Sequence, residues 1–280
     1  MERWHIAVVI ADSRLLITAS TDSSAQLFDV FTGQFLFEWK FQTPLRAVHI
    51  AEGDNKFLLV QRPVKPHPPQ LHVLTLNCSS PSHQDKTPVR SINLPTQCQC
   101  ALWGPMNATI WCACLDGIHI YDAQTLELVE TLHDHSEPIN SMAFDVKKIF
   151  LVSCSDDRTA KLYDVATRKC VKTYTTDKPV NTACVSPRVM HVVTGGGQKA
   201  HAVTTTHGKV GQFESRFFDM VHEEELGLLK GHFGPINTNC FSPDGSLYVS
   251  GSEDGFIRIH LLPEAYFSTA LDVNQLAKKK

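Results

Sequence analysis

The composition and charge of this 280-residue chain exclude several kinds of protein. Hydrophobic residues make up 42% and charged residues 20%, a balance typical of a folded globular protein and not of a disordered one. Lysines and arginines number 26 against 29 aspartates and glutamates, so no broad basic field is available to bind nucleic acid. The longest apolar run, Ile6–Ala11, is far shorter than the ~20 residues of a membrane-spanning helix. Because Asp12 and Arg14 follow it where a cleavage site would lie, we expect neither a membrane span nor a secretory signal.

Three segments along the chain share one pattern: small residues, then a turn aspartate, then a strand whose last residue lies seven positions after that aspartate. They are Thr18–Asp22 with Leu27–Asp29, Ser153–Asp157 with Leu162–Asp164, and Ser250–Asp254 with Ile259–Leu261. Two of them also have a histidine 22 residues before the turn aspartate, namely His135 and His232. A period of ~40–45 residues with these features is typical of the blades of a β-propeller.

The spacing of the turn aspartates predicts further, degraded repeats. Asp22 and Asp157 are 135 residues apart, or three steps of 45, so two more repeats should lie between them. Asp157 and Asp254 are 97 residues apart, or two steps with an insertion around residues 195–211. Intermediate strands are expected at Phe57–Val60, Leu71–Leu76, Thr109–Cys114 and Ile118–Asp122, the last two joined by the tight turn Asp116-Gly117.

We therefore predict an all-β fold, namely a WD40-type β-propeller of seven blades, six of which are visible in this sequence. The blades are expected at about residues 1–40, 41–97, 98–132, 133–175, 176–229 and 230–265, followed by a tail over 266–280. Subtracting 22 from Asp22 puts the first loop histidine one position before Met1, so the first blade is expected to be missing from this chain. After Leu262 only Tyr266–Leu271 offers an outer strand for the last blade, and the tail should contain a short helix, Asp272–Ala277, before Lys278–Lys280.

Four positions of a blade can form a buried hydrogen-bonded chain: a loop histidine, a serine, the turn aspartate and an aromatic residue. We predict this network at His135, Ser153, Asp157 and Tyr163 in one blade and at His232, Ser250 and Asp254 in the last. A serine, a histidine and an aspartate could instead be a nucleophilic triad. Because the trio recurs at blade spacing, whereas an active site is needed once, we interpret it as stabilising the blades.

Nine cysteines, an odd number, are scattered through the chain, so reduced thiols are expected and not a disulfide framework. Cys98/Cys100 and Cys112/Cys114 have CxC spacing, which on a strand puts both thiols of a pair on one face. This is not the CxxC spacing of zinc or redox sites. We predict thiols packed in the core, with thiol chemistry as the alternative.

No enzyme motif is complete in this chain. Gly195–Lys199 is rich in glycine, but no serine or threonine follows the lysine, as a phosphate-binding loop requires. His222–Glu225 lacks a second histidine four positions after His222, so an exposed acidic turn is expected there and not a zinc site. The histidine pairs His133/His135 and His201/His207 have no companions at ligand spacing. We expect no catalytic residues, no cofactor and no metal.

From about Lys178 onward the sequence resembles the WD-repeat i subunit family of eukaryotic translation initiation factor three. Four stretches match in order the long insertion that sets this family apart: Gly195–Gln198, Val203–Thr206, Phe213–Phe218 and Glu223–Glu225. Leu102–Pro105 and Asp157–Asp164 match as well, whereas residues 1–97 follow the register more loosely. The last blade, with Lys230–Ile236 and Gly251–Gly255, also resembles the serine/threonine kinase receptor-associated WD protein and does not discriminate between the two families.

The resemblance implies a non-catalytic, cytoplasmic scaffold that supports assembly of the 43S preinitiation complex, mRNA recruitment and scanning. The implied partners are the b and g subunits of the factor and, indirectly, the 40S ribosomal subunit and mRNA, with no membrane and no small-molecule substrate. In that family a basic helical tail of the b subunit docks on propeller acids, for which Asp164 is the matching position and Asp157 a weaker candidate. The alternatives are a signalling scaffold, not expected to carry the insertion, and a propeller enzyme, for which no convergent site residues are found.

Overall fold

The computed structural model describes residues 5–8, 14–197 and 213–267, and these residues are mostly β-strand. They form 23 strands in six antiparallel sheets, five with four strands and one with three, as expected for a WD40 β-propeller. The chain divides into two compact units, Met1–His133 and Asp134–Lys280. In the part of the chain that is described, no helix has the length and apolar character needed to cross a bilayer.

The first unit contains three sheets, each a run of four sequential strands. Sheet 1 is β1 (His5–Val8), β2 (Leu15–Ala19), β3 (Ser24–Asp29) and β4 (Phe35–Lys40). Sheet 2 is β5 (Leu45–Ile50), β6 (Lys56–Gln61), β7 (Gln70–Thr75) and β8 (Arg90–Asn93). Sheet 3 is β9 (Cys98–Trp103), β10 (Thr109–Cys114), β11 (Gly117–Asp122) and β12 (Leu128–Leu132), with a 3-10 turn at Pro105–Asn107.

The second unit also contains three sheets, the last of which has three strands. Sheet 4 is β13 (Ile139–Phe144), β14 (Phe150–Ser155), β15 (Thr159–Asp164) and β16 (Lys169–Thr175). Sheet 5 is β17 (Val180–Val185), β18 (His191–Gly196), β19 (Phe213–Asp219) and β20 (Glu225–His232). Sheet 6 is β21 (Ile236–Phe241), β22 (Leu247–Ser252) and β23 (Ile257–Leu261), followed by a helical turn at 264–267.

Neighbouring sheets of the first unit bury apolar side chains against each other. Strand β6 reads Phe-Leu-Leu-Val from Phe57 to Val60, and all four side chains are buried. Because side chains alternate along a strand, Phe57 and Leu59 pack with sheet 1, whereas Leu58 and Val60 pack with sheet 3. Each fully buried side chain of this size contributes roughly 1.5–3 kcal/mol, which explains why the central strand has no polar face.

The second unit repeats this packing with sheet 5 in the centre. Val192 and Phe218 lie in one cluster with Val152 and Leu162 of sheet 4. Their sequence neighbours Val193 and Phe217 lie in a second cluster with Tyr248 of sheet 6 and with Leu262 and Phe267. Sheet 5 is therefore covered on both faces within this unit.

A β-bulge recurs on the first strand of sheets 2 to 6. The register shifts by one residue, and the residue left out of the pairing is polar in every case: Arg46, Gln99, Asn140, Asn181 and Asn237. These side chains join consecutive sheets, since Arg46 Nε donates to Gln99 Oε1 at 2.8 Å and Asn140 Nδ2 donates to the Val180 carbonyl at 2.9 Å. Asn181 Nδ2 donates to the Ile236 carbonyl at 3.2 Å. The bulge thus gives sheets 2, 4 and 5 a polar contact to the next sheet of the same unit.

The bulge at Gln99 corrects one prediction about the cysteines. Cys114 pairs with Cys98, but Ala113 pairs with Cys100, so Cys98 and Cys100 lie on opposite faces of the strand. The extra residue reverses the alternation that CxC spacing predicts. All nine cysteines are free thiols, of which Cys78 and Cys240 are exposed and not packed in the core.

The end of the described chain differs from the strand expected at Tyr266–Leu271. Tyr266 lies in the helical turn at 264–267, and its hydroxyl is 2.8 Å from His191 Nδ1. This contact with His191 and the packing of the Tyr266 ring against Phe217 attach the turn to sheet 5. Residues 268–271, the expected helix Asp272–Ala277 and Lys278–Lys280 lie outside the described residues.

Candidate functional site

Sheet 4 brings three of its four predicted network residues together. His135, in the loop before β13, places Nδ1 2.7 Å from Asp157 Oδ2 and Nε2 2.7 Å from Ser153 Oγ. Ser153 is on β14, and Asp157 is in the turn between β14 and β15. The side chains of His135 and Asp157 are 1% and 7% exposed, so water competes little for these hydrogen bonds.

The turn around Asp157 supplies further donors to its carboxylate. Thr159 donates from its backbone N at 2.9 Å and from its hydroxyl at 2.6 Å, and the Ser136 backbone N donates at 3.2 Å. Burial raises the pKa of Asp157, but the hydrogen bonds from Thr159 and His135 outweigh it and leave this pKa below its ordinary value. Burial is the largest influence on the pKa of His135 and, together with the charge of Lys161, leaves this pKa below its ordinary value although Asp157 raises it. A neutral His135 therefore donates from Nδ1 to Asp157 and accepts the Ser153 hydroxyl at Nε2.

His135, Ser153 and Asp157 have the connectivity of a catalytic serine–histidine–aspartate triad. Their buried position, however, does not allow nucleophilic catalysis. A nucleophilic serine must reach a substrate carbonyl and needs donors for the oxyanion that forms. Ser153 has no exposed surface, and its neighbours on β14, Val152 and Cys154, are also fully buried. The trio can hold the loop, the strand and the turn of one sheet together, and it offers no surface to a substrate.

Sheet 6 contains the same arrangement. His232 Nδ1 lies 3.0 Å from Asp254 Oδ2, and His232 Nε2 lies 2.9 Å from Ser250 Oγ. The backbone N of Phe233 and that of Phe256 donate to the Asp254 carboxylate at 3.0 and 2.9 Å. These donors outweigh the effect of burial and hold the pKa of Asp254 well below its usual value.

The predicted aromatic member, Tyr163, does not join the network. Its ring is fully buried, and within the described residues its hydroxyl has no hydrogen-bond partner. Burial also raises the pKa of this hydroxyl well above its ordinary value. The chain of hydrogen bonds in sheet 4 thus runs from the turn to the serine and ends there.

Two other sheets contain histidine networks that the repeat pattern did not reveal. In sheet 2, His72 on β7 lies 2.6 Å from Gln61 Oε1 through Nε2 and 2.6 Å from Ser91 Oγ through Nδ1. In sheet 3, His119 on β11 lies 3.1 Å from an Asp116 carboxylate oxygen through Nε2. Both histidines interrupt apolar third strands, which is the one sequence signal that could have identified them.

The turn after the third strand carries an aspartate in four sheets, namely Asp29, Asp122, Asp164 and Asp219. Each accepts backbone N–H groups two or three residues later. Asp164 Oδ1 accepts the Thr167 backbone N at 2.7 Å and the Thr167 hydroxyl at 2.8 Å. These bonds lower the pKa of Asp164, so its half-buried side chain presents a negative charge at neutral pH.

The glycine-rich stretch brings two sheets close together. A Cβ on Gly195 would lie 2.7 Å from Ile236 Cγ2, so sheets 5 and 6 can approach here only because the residue is glycine. His222–Glu225 is exposed as predicted, and its first three residues connect β19 to β20, which begins at Glu225. Gln198, Lys199, His201, Val203–Thr206 and His207, which carried other predictions, lie outside the described residues.

Comparison with known proteins gives one consistent result over nearly the whole chain. The family model described as EIF3I matches residues 3–272. A protein of Dictyostelium discoideum named eukaryotic translation initiation factor 3 subunit I is 40% identical over 267 residues, covering 92% of this chain and 78% of its own length. Proteins of the same name from Culex quinquefasciatus and Drosophila willistoni are 37% and 38% identical over 269 and 264 residues, which is 94% and 93% of this chain and 82% of each relative.

Proposed function

Because the chain belongs to the family of eukaryotic translation initiation factor 3 subunit I, we propose that it serves translation initiation as a non-catalytic scaffold subunit. The similarity over residues 3–272 carries this proposal, since it covers both units of the chain. The signalling scaffold is not favoured, because the relatives compared are named subunit I. The burial of Ser153 supports a non-catalytic role.

The proposed partners are the b and g subunits of the factor and, through them, the 40S ribosomal subunit and mRNA. The chain then supports 43S preinitiation complex assembly and mRNA recruitment in the cytoplasm, where translation initiation takes place. We expect affinity purification of the tagged chain from its own cells at moderate salt to recover b and g subunits and 40S ribosomal proteins by mass spectrometry. Recovery of kinases and receptors in their place would support the signalling scaffold and reject this proposal.

Asp164 is the proposed contact for a basic helix of the b subunit. Its Oδ1 accepts both Thr167 hydrogen bonds and its side chain stays partly exposed, whereas the Asp157 carboxylate is 7% exposed and bound to four donors. Asp157 is therefore assigned to the network of sheet 4, as are His135 and Ser153. His232, Ser250 and Asp254 are assigned the same stabilising role in sheet 6.

The Asp164 proposal is tested with a substitution that removes the charge and keeps the turn. Asp164→Lys would also remove the acceptor of Thr167, so Asp164→Asn is preferred because its amide oxygen can still accept. We expect about fivefold weaker binding of the b-subunit tail, since one surface ion pair contributes up to ~1 kcal/mol. Asp122→Asn, in the matching turn of sheet 3, is the control. Equal affinities of the two variants would discard the assignment.

We also propose that the six sheets are blades of a seven-bladed propeller spanning residues 1–265, with a tail at 266–280. Two observations support this count: the approximate 45-residue period, and a last sheet that has three strands in the described part of the chain. A version of the chain extended by one more blade should then unfold at a higher temperature than this chain, and an unchanged unfolding temperature would reject the seven-blade count.

A further inference from the structure

Sheet 3 gathers thiols, a carboxylate and an imidazole at the turn between β10 and β11. The Cys114 Sγ, a carboxylate oxygen of Asp116 and a ring nitrogen of His119 all lie within 4.8 Å of one another. Cys98 pairs directly with Cys114 across the strands because of the bulge at Gln99, but its Sγ donates to the Cys100 carbonyl at 3.0 Å and lies outside this group of three. One sulfur, one oxygen and one nitrogen donor therefore converge at the hairpin of β10 and β11, and a second thiol stands beside them on β9.

The other sheets show how unusual this collection is within the chain. Two residues before the turn aspartate, sheets 1, 4 and 6 have Ser20, Ser155 and Ser252, where sheet 3 has Cys114. The residue that pairs with this position is Ile139 in sheet 4 and Ile236 in sheet 6, where sheet 3 has Cys98. Four residues before the aspartate, Ser153 and Ser250 correspond to Cys112. Three separate departures from the repeat thus place thiols at nearby positions of the paired strands β9 and β10.

Outer hydrogen bonds hold the imidazole and the carboxylate in place. Tyr121 Oη lies 3.3 Å from His119 Nδ1, which leaves Nε2 directed toward Asp116. The Thr96 hydroxyl donates to Asp116 Oδ1 at 2.6 Å. Partners of this kind orient the ligands of protein metal sites and fix which ring nitrogen of a histidine is available.

We propose that Cys114, Asp116 and His119 bind Zn²⁺ and that Cys98 completes a tetrahedral site when its Sγ turns from the Cys100 carbonyl to the ion. Two sulfurs, one imidazole nitrogen and one carboxylate oxygen are donors that zinc prefers, and this ion accepts four ligands without a directional electronic demand. The thiols and His119 are buried, while the Asp116 side chain is 42% exposed and gives the ion a route from solvent. This assignment replaces the sequence-based expectation of simply packed thiols for Cys98 and Cys114.

Binding is a proton exchange at the two thiols. Each thiol loses one proton as its sulfur binds the ion, and Asp116 contributes its existing negative charge, so the occupied site carries a net charge of about -1. His119 binds as the neutral ring. The ion would join the start of β9 to the end of β10 and the first residues of β11, and so would stabilise sheet 3 against local opening.

The test uses the full chain purified under reducing conditions, stripped with a chelator and then titrated with Co²⁺ and with Zn²⁺. We expect about one Zn²⁺ per chain by elemental analysis, sulfur-to-cobalt absorption with the visible bands of a tetrahedral ion, and a higher unfolding temperature with Zn²⁺. Cys114→Ser and His119→Gln should each weaken Co²⁺ binding at least tenfold. Cys184→Ser, which changes a buried thiol of sheet 5, is the matched control and should bind normally.

Each other result would overturn the proposal. One such result is the absence of a tetrahedral cobalt spectrum, and another is full Co²⁺ binding by both site variants. A third is a Cys98–Cys114 disulfide, which would make the purified chain two hydrogens lighter and free of metal. His119→Gln replaces a ring that is held at both nitrogens, so circular dichroism must show that each variant is folded before its affinity is compared. A folded variant with unchanged cobalt bands places the metal elsewhere and rejects this site.

Discussion

His72 shows how one buried polar residue can couple the stability of this protein to pH. It lies in sheet 2 between the Gln61 amide and the Ser91 hydroxyl and stacks near the Phe41 ring. Burial lowers the pKa of His72 to about 4 from an ordinary 6.5. The folded state thus keeps the ring neutral over a range of pH in which the unfolded chain takes up a proton.

The sign of the pH dependence follows from this lowered pKa. The contribution of His72 is fully present above pH 6.5 and is lost as pH falls toward 4, because only the unfolded state binds the proton. We expect the free energy of unfolding to fall by as much as roughly 3 kcal/mol over this window from His72 alone. His72→Gln should flatten the profile measured by urea unfolding, and His83→Gln, at an exposed loop position, should not. Parallel profiles for His72→Gln and the unchanged chain would contradict this.

Asp157 is the residue on which the network of sheet 4 depends most. Its carboxylate accepts from His135, Ser136 and Thr159, so Asp157→Ala leaves buried donors without an acceptor. We expect a loss of roughly 2–4 kcal/mol in the free energy of unfolding, measured by urea denaturation. Glu224→Ala, at an exposed turn position, is the control and should cost less than about 0.5 kcal/mol. A similar loss for both variants would show that the network does not stabilise the sheet.

At the level of the element, the hairpin turn after the second strand takes one backbone conformation in three sheets. The residue after the turn aspartate has a positive φ in each: Ser23 at 70°, Arg158 at 67° and Gly255 at 83°. Only glycine adopts this region without steric cost, and for other residues the cost is roughly 1–2 kcal/mol. The fold imposes this turn geometry on residues that do not favour it.

This shared turn permits a paired prediction. Gly255→Ala should destabilise the chain by about 1 kcal/mol through backbone strain alone, because no atom lies within 4 Å of the added Cβ. Arg158→Gly should stabilise it by a fraction of 1 kcal/mol, since relief of strain exceeds the entropy that glycine adds to the unfolded chain. Gly227→Ala, which also meets no atom within 4 Å and has no positive φ, is the control for thermal unfolding. Equal effects at positions 255 and 227 would rule out the strain argument.

The strands themselves were largely predictable from local sequence, but their partners were not. Thr109–Cys114 is a strand in the structure as predicted, because its apolar pattern and the following Asp116-Gly117 turn are local signals. The hydrogen bonds of His72 come from Gln61 and Ser91, which are 11 and 19 residues away. No local pattern marks such a contact, since it depends on the register of two strand pairs at once.

At the scale of the whole molecule, sheet 6 exposes a face that the equivalent sheets bury. Three and five residues after the turn aspartate, Ala160 and Leu162 of sheet 4 are 0% and 2% exposed. The corresponding Ile257 and Ile259 of sheet 6 are 75% and 66% exposed, and Leu261 is 75% exposed. The same sequence positions are therefore core in one sheet and surface in another.

An exposed apolar strand of this kind favours self-association. We expect the triple variant Ile257→Thr, Ile259→Thr and Leu261→Thr to reduce light scattering and the sedimenting mass of concentrated samples while the chain stays folded. A control that replaces two exposed apolar residues of the first unit, Phe31→Thr with Val64→Thr, should change association much less. If the control variant reduces self-association equally, sheet 6 is not the surface through which the chains associate.

The sequence by itself determined the repeat, the β-class and the histidine, serine and aspartate that meet in the networks of sheets 4 and 6. His135 and Asp157 can be paired from the sequence alone because the repeat preserves their spacing of 22 residues, and His232 and Asp254 repeat it. Only the tertiary structure decided that Tyr163 stays outside its network and that Cys98 meets Cys114 instead of sharing a face with Cys100. The physical reason is that spacing and alternation act along the chain, whereas a bulge and the packing of one sheet on another depend on residues distant in sequence.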